Sequence, residues 1–356
     1  MKFSVFLMGT RNGSYFDIVD QVRNADALGF RGVWLAERTF TNGDLLWPSP
    51  MVAASYLAAN TRRLRIGIAA RILPFHHPMH VASEAATLDV LTSGRLDLGL
   101  SRSSMDDTPY RVFGVSREEA LARFEESFDV LRAALRGERL SHKGRFFDVD
   151  GVTLSPTPVQ KPHPPFYMIA NNPVAIDACA REGMPIFVHG AHRIDGVQEV
   201  LSRYRALSSA AGFEPKRIDI PVNRFVYVAA STAQARKAME KPFMDFLDQR
   251  APDLRGCLEA KYGADAAKSF DFIADEIGIF GDPEYCIARL RDLRDRAGLR
   301  HVLCTFNLIT LDHDACVESM NRFAAFVMPK IEREDRIRVP RALLGRLNER
   351  RPAQVL

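Results

Sequence analysis

The sequence predicts an α/β fold in which eight parallel strands alternate with helices and close into a (β/α)8 TIM barrel. Apolar runs of strand length alternate with helix-length segments from residue 2 to residue 306, and eight strands in this order favour a closed barrel over an open sheet. The length of 356 residues suits a barrel with insertions. No strand is followed by the Gly-x-Gly-x-x-Gly turn of a dinucleotide-binding sheet.

The predicted elements follow in strict alternation along most of the chain. Strands are predicted from hydrophobic runs rich in Val, Ile and Phe, and helices from apolar positions three and four apart. The strands are expected at 2–8, 31–36, 64–70, 95–100, 165–170, 185–189, 220–229 and 301–306. The helices are expected at 17–28, 50–60, 79–91, 117–135, 174–183, 193–210, 232–249 and 283–297.

The clearest strand–helix–strand unit lies between residues 64 and 102. A strand over 64–70 runs on to a turn in which Pro78 suits the first turn of a helix, and a second short strand covers 95–100. A unit with such tight turns implies parallel strands and a right-handed crossover. It places Ala69-Ala70 and Arg102 at the carboxyl ends of neighbouring strands, where ligands bind in parallel α/β folds.

We expect one barrel domain over 1–330 with two insertions. The first, 138–165, carries a hairpin around 146–148 and 152–154. The second, 250–281, contains short helical runs, and a long insertion at this point is typical of an active-site lid, with surface decoration as the alternative.

An Arg-rich C-terminal tail, 331–356, carries seven arginines against four acidic residues, which accounts for most of the net charge of +4. The rest of the chain is nearly neutral, so composition does not indicate a nucleic-acid partner. A solvated tail or a subunit-contacting arm is the usual role of such a segment.

Composition also bears on the compartment and on membranes. No apolar run approaches the 18 or so residues that span a bilayer, and the apolar start Met1–Met8 fits a first strand better than a signal peptide. The five cysteines are scattered without CxxC spacing, which is typical of reduced thiols. We therefore expect a cytoplasmic protein.

Several ordered motifs resemble the bacterial luciferase family, the luciferase-like flavin monooxygenases. The resemblance covers residues of about 2–330, and within the family the sequence is similar to the luciferase α chain. Its motifs are Leu88-Asp89-x-Leu91-x-Ser93-Gly94-Arg95 followed by Gly99 and Arg102, then Arg111-Val112-Phe113-Gly114, Val33-Trp34-Leu35-Ala36-Glu37 with Phe40, and Phe280-Gly281-Asp282-Pro283-Glu284. The resemblance implies the same barrel fold and a mobile loop at 250–281.

The resemblance also implies cofactor-binding residues. Arg102, after Ser101 at the end of the fourth strand, would hold the flavin phosphate, as guanidinium binds phosphate bidentately. The Ala69–Ala70 peptide would be a non-proline cis bond against the flavin ring. His77 would border that ring, although packing of the turn is the alternative.

Asn171 and Asn172 follow the fifth strand and precede Pro173, so Asn172 is a candidate N-cap at a helix end that can bind phosphate. Luciferases have Glu-Ser there, and a threonine where this chain has Ala175. A cap without a ligand is the alternative.

The segment Glu37-Arg38-Thr39-Phe40 departs from the luciferase pattern Glu-His-His-Phe. Arginine stays protonated at neutral pH and cannot shuttle a proton as imidazole does. Arg38 and Glu37 are the catalytic candidates, with Arg38 stabilising an anionic peroxide or a substrate oxygen, or pairing with Glu37. Light emission is therefore not expected.

We expect no metal site. The group His76, His77, His80 and Glu84 is the one cluster to weigh, and adjacent histidines on an extended turn point in different directions, whereas zinc needs three or four convergent ligands.

The resemblance implies an FMN-dependent monooxygenase that uses reduced FMN and molecular oxygen, through a C4a-peroxyflavin, on a small apolar substrate. Because no nicotinamide fingerprint is present, we expect a separate NAD(P)H:flavin reductase to supply the reduced flavin. The resemblance favours a homodimer. An F420-dependent oxidoreductase of the same fold and a non-catalytic flavin-binding relative are the alternatives.

Overall fold

The structure, a computed structural model, describes residues 1–9, 14–40, 47–170, 172–249 and 251–338. Nine of its strands form one parallel sheet in the order β10-β9-β11-β1-β2-β3-β4-β7-β8, and β5 and β6 form a separate antiparallel hairpin. The strands are β1 Lys2–Leu7, β2 Gly32–Leu35, β3 Arg65–Ile72, β4 Leu96–Ser101, β5 Leu140–Lys143, β6 Asp148–Val152, β7 Phe166–Ile169, β8 Ile186–Phe187, β9 Pro221–Val228, β10 Ile279–Gly281 and β11 His301–Thr305.

The parallel sheet curls round on itself. Val188, just beyond β8, forms a parallel bridge with Val222 of β9. Two backbone hydrogen bonds accompany it, from the Val188 N–H to the Pro221 carbonyl at 2.9 Å and from the Asn223 N–H to the Val188 carbonyl at 2.9 Å. These contacts bring β8 beside β9, so the carboxyl ends of the strands surround one common space.

The helices cover the outer face of the sheet. They are α1 Tyr15–Leu28, α2 Pro50–Ala59, α3 Pro78–Leu91, α4 Thr108–Phe113, α5 Ala120–Leu135, α6 Pro173–Arg181, α7 Ile194–Ala210, α8 Thr232–Gln249, α9 Pro252–Tyr262, α10 Ala264–Lys268, α11 Phe270–Phe272, α12 Pro283–Ala297, α13 His313–Arg322 and α14 Met328–Arg338. Short π-helical segments, Ile273–Ile277 and Phe323–Val327, follow α11 and α13.

Local sequence explains where many of these elements begin and end. In α12 the Asp282 carboxylate accepts the Tyr285 N–H at 2.9 Å, Pro283 occupies the first turn, and Gly298 ends the helix at a φ of 66°. A side-chain acceptor at the start, proline in the first turn and left-handed glycine after the end are the ordinary helix boundaries. All eight predicted strands and all eight predicted helices are present, with ends shifted by a few residues.

The core lies between the parallel strands and the helices. Strands β1, β3 and β4 are buried over nearly their whole length, as parallel strands covered on both faces are. The sequence motif at 88–95 spans the end of α3, and its Asp89 carboxylate accepts the backbone and side-chain N–H groups of Gln160 at 2.8 and 2.6 Å.

The hairpin in 138–165 differs in register from the prediction. Lys143 pairs with Asp148, so β6 is the second strand of the hairpin and not the first. Phe146 and Phe147 lie in the turn, because the Glu126 carboxylate accepts their N–H groups at 2.9 to 3.1 Å and so replaces strand partners.

Three further differences concern the C-terminal half. Strand β10 and helices α13 and α14 were not predicted, and α14 extends to Arg338, past the expected start of the tail at 331. Ile331 is fully buried, so the helix and not a tail occupies this stretch. Residues 339–356 lie outside the described residues.

Residues 251–281 fold into α9, α10, α11, a π-helical turn and β10. Their apolar side chains pack with those of α8, in a cluster that includes Phe243, Phe246, Leu254 and Ile273. Across the described ranges, no helix combines the length and apolar character that crossing a bilayer requires.

Candidate functional site

A cavity of about 270 Å³ opens at the carboxyl ends of the parallel strands. Its wall comes from the ends of β1, β2, β3, β4, β7, β8 and β9, and from α9, which lies across it. Most of the lining is apolar, and it includes Phe6, Leu7, Met8, Trp47, Ile169, Phe187, Phe225, Phe246 and Leu254. A concave, mostly apolar space with few polar groups is the usual form of a cofactor or substrate site.

The Ala69–Ala70 peptide is cis, as the resemblance implies. Both side chains are buried and both line the cavity. Beneath them Trp34 and Tyr167 pack edge to face, with ring centroids 5.0 Å apart. A Cβ on Gly67 would lie 2.1 Å from the Trp34 ring, so glycine is what allows this packing. Two small side chains therefore form this part of the cavity wall, and Trp34 and Tyr167 pack in the same cluster as Ala69.

The Glu37 carboxylate is buried, and three donors occupy it. The Ile72 N–H donates at 2.7 Å, Arg71 Nη1 at 3.2 Å, and the His76 ring nitrogen Nε2 lies at 2.8 Å. Arg71 also donates to Glu84 at 3.1 Å. Glu37 lines the cavity, and its carboxylate holds the end of β3 and the following turn in place.

Arg38 does not pair with Glu37. Its Nη1 lies 3.6 Å from the Asp253 carboxylate at the start of α9. Its backbone N–H donates to the Trp47 carbonyl at 3.0 Å. The alternative of a Glu37–Arg38 pair is therefore not present, and the Arg38–Asp253 ion pair instead joins the loop after β2 to α9 beside the cavity.

Ser101 and Arg102 lie at the end of β4 but face differently. Ser101 lines the cavity, and its hydroxyl donates to the Ser103 carbonyl at 2.8 Å. The Arg102 guanidinium lies over the Phe124 ring, 5.6 Å from its centroid. Burial raises the pKa of the Cys179 thiol on α6 to about 11, while the nearby charge of Arg102 acts in the opposite direction. Arg102 therefore lies beside α6, and no carboxylate pairs with it among the described residues.

Asn172 caps α6 as predicted. Its side-chain oxygen accepts the Ala175 N–H at 2.9 Å, and Pro173 follows it in the first turn. Asn171 lies outside the described residues. The amino end of α6, with its positive dipole, is suited to an anion.

His77 is placed away from the cavity lining. Its Nδ1 accepts the Met79 N–H at 3.3 Å and so caps α3. Its ring packs edge-on against Phe147, with centroids 5.2 Å apart. Burial, together with the charges of His80 and Arg123, lowers its pKa. His77 therefore packs the turn before α3, which is the alternative to a place beside the flavin ring. Its place beside the flavin ring stays a prediction that this geometry does not support.

The predicted histidine group does not converge on one point, since His76 points to Glu37 and His77 packs against His80. Over the part of the chain that the structure describes, no group of three or more His, Cys, Asp or Glu side chains could hold a metal ion. All five cysteines, which lie within that part, are free thiols.

Sequence reasoning missed the polar residues on the far side of the cavity. His189 and His192 follow β8, Asn223 lies on β9, and Lys261 lies on α9. Burial lowers the pKa of both histidines to about 4, and the charges of Lys261 and Arg224 act in the same direction. The available signal was position in the sequence, because His189 is the last residue of the predicted strand 185–189 and His192 lies three residues further on.

Comparisons with known proteins agree with this geometry. The luciferase-like monooxygenase family model matches residues 1–301. The uncharacterized protein y4vJ of Sinorhizobium fredii is 30% identical over 225 residues, which cover 61% of this chain and 63% of that protein. The oxygenase component of a flavin-dependent trigonelline monooxygenase from Acinetobacter baylyi is 27% identical over 67% of this chain and 68% of its own. An alkanal monooxygenase alpha chain of Photorhabdus laumondii is 24% identical over 94% of this chain and 99% of its own.

Solved structures share the fold over almost the whole chain. Monooxygenase RslO1 from Streptomyces bottropensis superposes with a TM-score of 0.82 at 27% identity, over 93% of this chain and 100% of that one. The oxygenating constituent of 3,6-diketocamphane monooxygenase from Pseudomonas putida, solved in complex with FMN, superposes with a TM-score of 0.80 at 18% identity. The superposition covers 93% of this chain and 98% of that one. An F420-dependent tetrahydromethanopterin reductase from Methanopyrus kandleri superposes with a TM-score of 0.71 at 18% identity, over 92% of this chain and 99% of that one.

Proposed function

The chain belongs to the luciferase-like monooxygenase family, and from that premise we propose that it binds reduced FMN and oxygenates a small apolar substrate. The observation that carries the proposal is that Arg102 lies beside α6 without a carboxylate partner among the described residues, while Ala69 and Ala70 line the cavity. Arg102 and the amino end of α6 would bind the phosphate, and the Ala69–Ala70 peptide would form the wall against which the flavin ring lies.

The residues present fit FMN in two respects. The Arg102 guanidinium is without a carboxylate partner in the described part of the chain, and a phosphate would supply one with bidentate geometry. The two alanine side chains leave room for a planar ring against the backbone of β3. Arg102, Asn172 and the backbone N–H groups at the start of α6 would hold the phosphate, with Asn171 as a further candidate.

The oxygen chemistry belongs to the cofactor, because reduced flavin is what activates molecular oxygen. The protein's part is to orient the reactants and to keep water away from them. Phe6, Trp47 and Phe246 line the cavity, and Leu254 of α9 covers it. Arg38 lines the same space as a permanent cation, so it would stabilise negative charge that develops on oxygen during transfer.

In this proposal Glu37 is a positioning residue, although the sequence makes it a catalytic candidate. Its carboxylate already accepts from Ile72 and lies against Arg71 and His76. It is therefore a positioning residue for the end of β3, and the cavity-facing charge at this edge is that of Arg38.

Segment 250–281 would act as a lid. Its helix α9 contributes Asp253, Leu254, Cys257 and Lys261 to the cavity, so movement of α9 would open the site. Lid closure over bound flavin is a common means of excluding water.

Two partners complete the proposal. A separate NAD(P)H:flavin reductase would supply reduced FMN, and the relative named as an oxygenase component supports this arrangement. A second copy of the chain would form a homodimer. Val52 and Tyr56, one turn apart on α2, are 69% and 50% exposed, and apolar surface of this kind is typically covered by a subunit. Light scattering should give twice the mass of the chain, and a single-chain mass would contradict the dimer.

Flavin titration tests the central step. We expect FMN to bind the purified protein, and Arg102→Gln to weaken binding at least about tenfold, because it removes a charged hydrogen-bond donor. Arg132→Gln is a matched control, since Arg132 lies 5.4 Å over the Phe128 ring on the exposed side of α5. Equal FMN affinity in wild type and Arg102→Gln would contradict the phosphate assignment.

The F420 alternative has one specific point in its favour, the fold shared with an F420-dependent enzyme. Titration with both cofactors separates the two functions. Binding of F420 without binding of FMN would replace the proposal. A non-catalytic relative would bind FMN, yet it would yield no oxygenated product when mixed with photoreduced FMN, oxygen and a panel of apolar compounds.

A further inference from the structure

The imidazole of His189 is the polar group best placed on the wall opposite the Ala69–Ala70 peptide. His189 follows β8 and lines the cavity. Along the sheet β4 and β7 separate β8 from β3, so the histidine faces that peptide from across the barrel mouth. The same cavity is lined by the apolar residues Phe187, Ala191, Phe225 and Phe246 and by the polar residues His192, Asn223 and Lys261.

One backbone contact determines the tautomer of this ring. The Ala191 N–H donates to His189 Nδ1 at 3.2 Å. A neutral imidazole that accepts at Nδ1 carries its proton on Nε2. Nε2 has no hydrogen-bond partner among the described residues, so its N–H remains available to whatever occupies the cavity.

The ring is neutral at physiological pH. Burial lowers the pKa of His189 to about 4, and the positive charges of Arg38, Lys261 and Arg224 add to this effect. The His189 ring is therefore a neutral hydrogen-bond donor, suited to a neutral acceptor atom. If a bound molecule offered no acceptor, the Nε2–H would be desolvated without a partner, which weakens binding.

Asn223, Arg38 and Lys261, which also line the cavity, do not duplicate this donor. The Asn223 amide donates to Thr305 Oγ1 at 2.7 Å and to the Leu303 carbonyl at 3.3 Å, which uses both of its N–H groups. Arg38 is paired with Asp253. Lys261 is exposed, so its ammonium remains hydrated.

We propose that the Nε2–H of His189 hydrogen-bonds a carbonyl oxygen of the substrate and so selects ketones or aldehydes over hydrocarbons of the same shape. The inference rests on the proposed function, because it places the substrate opposite the flavin wall. His189 touches the substrate in this scheme and sets which end of it faces Ala69–Ala70.

Two substitutions separate the donor from the bulk of the ring. His189→Gln keeps an N–H near the position of Nε2, whereas His189→Asn keeps an acceptor for the Ala191 N–H and loses the donor that reaches the cavity. His189→Phe retains a ring and has no side-chain donor at all. Circular dichroism and thermal unfolding identify which variants are folded.

The readout is the infrared carbonyl stretch of carbonyl-labelled cyclooctanone bound to each protein in the presence of FMN, with cyclohexanone and 2-decanone as further probes. A hydrogen bond lowers this frequency. We expect the lowered stretch in wild type and His189→Gln, and the free-ketone frequency in His189→Asn and His189→Phe. The dissociation constant of the ketone should rise about tenfold in His189→Asn and His189→Phe, and that of cyclooctane should not change.

Three results would overturn the inference: the same carbonyl frequency in all four proteins, no binding of any ketone to wild type, or weaker FMN binding in His189→Asn with ketone binding unaltered. The last result would assign the donor to the flavin. FMN titration of the same samples is a separate measurement. A wild type that binds ketone through His189 and binds no FMN defeats the proposed function and leaves the His189 contact intact.

Discussion

The Arg38 guanidinium lies 3.6 Å from the Asp253 carboxylate, and this pair joins the loop after β2 to helix α9 beside the cavity. Both side chains are more than a third exposed, so the pair contributes at most about 1 kcal/mol. An interaction of that size can hold a segment closed and still release it.

The first prediction concerns this pair and the lid. Arg38→Ala and Asp253→Ala should each speed proteolytic cleavage within 250–281 by up to about fivefold, and the double variant should add little, because both remove the same contact. Flavin should slow cleavage in the wild type. Limited proteolysis with and without FMN measures this, and cleavage that is indifferent to flavin would remove the support for a lid.

A second prediction concerns the buried Glu37. Glu37→Ala should lower the free energy of unfolding by about 3 kcal/mol, because it leaves the buried Arg71 without its inner partner. Glu84→Ala removes the more exposed partner of the same arginine and should cost about 1 kcal/mol or less. Urea denaturation measures both. Equal losses would mean that Glu37 does not hold the end of β3 as described.

A third prediction separates the helix cap from phosphate binding at Asn172. Asn172→Asp retains a side-chain acceptor for the Ala175 N–H and adds a negative charge at a helix amino end, so stability should be kept or raised. The same charge should repel the flavin phosphate and weaken FMN binding at least about tenfold. Asn172→Ala should instead cost about 1 kcal/mol of stability. If the Asp variant binds FMN as wild type does, the phosphate lies elsewhere.

The pH dependence of stability follows from the buried histidines. Burial lowers the pKa of His192 to about 4 in the folded protein, below the ordinary histidine value of about 6.5. The unfolded chain therefore takes up the proton first, and stability should fall as pH drops from about 6.5 to 4 and should not depend on this group above 6.5. His192→Gln should reduce that fall by about 1–2 kcal/mol. Urea unfolding at pH 7 and pH 4.5 makes the comparison, and identical pH slopes would contradict a neutral, buried His192.

The fold was largely predictable because its signals are local. Apolar runs marked the parallel strands, and the Asn172-Pro173 pair marked the start of α6. Strand β10 was missed because three residues carry no periodicity. The hairpin register was wrong because the Glu126 carboxylate, on another element, binds the backbone of its turn.

The site was predictable only where sequence position sets it. Ala69 and Ala70 lie in the carboxyl half of one strand, and Ser101 and Arg102 lie at the end of the next, so their place at one end of the sheet could be expected. The pairing of Arg38 with Asp253 depends on how α9 packs over the strands, and the tautomer of His189 depends on a single loop contact. Neither leaves a pattern in the sequence.

A crystal structure of the protein with FMN tests the central claim most directly. The account predicts the phosphate within hydrogen-bonding distance of Arg102 and the amino end of α6, and the ring against the Ala69–Ala70 peptide. A cavity that stays empty at saturating FMN, or a phosphate bound away from Arg102, would contradict it.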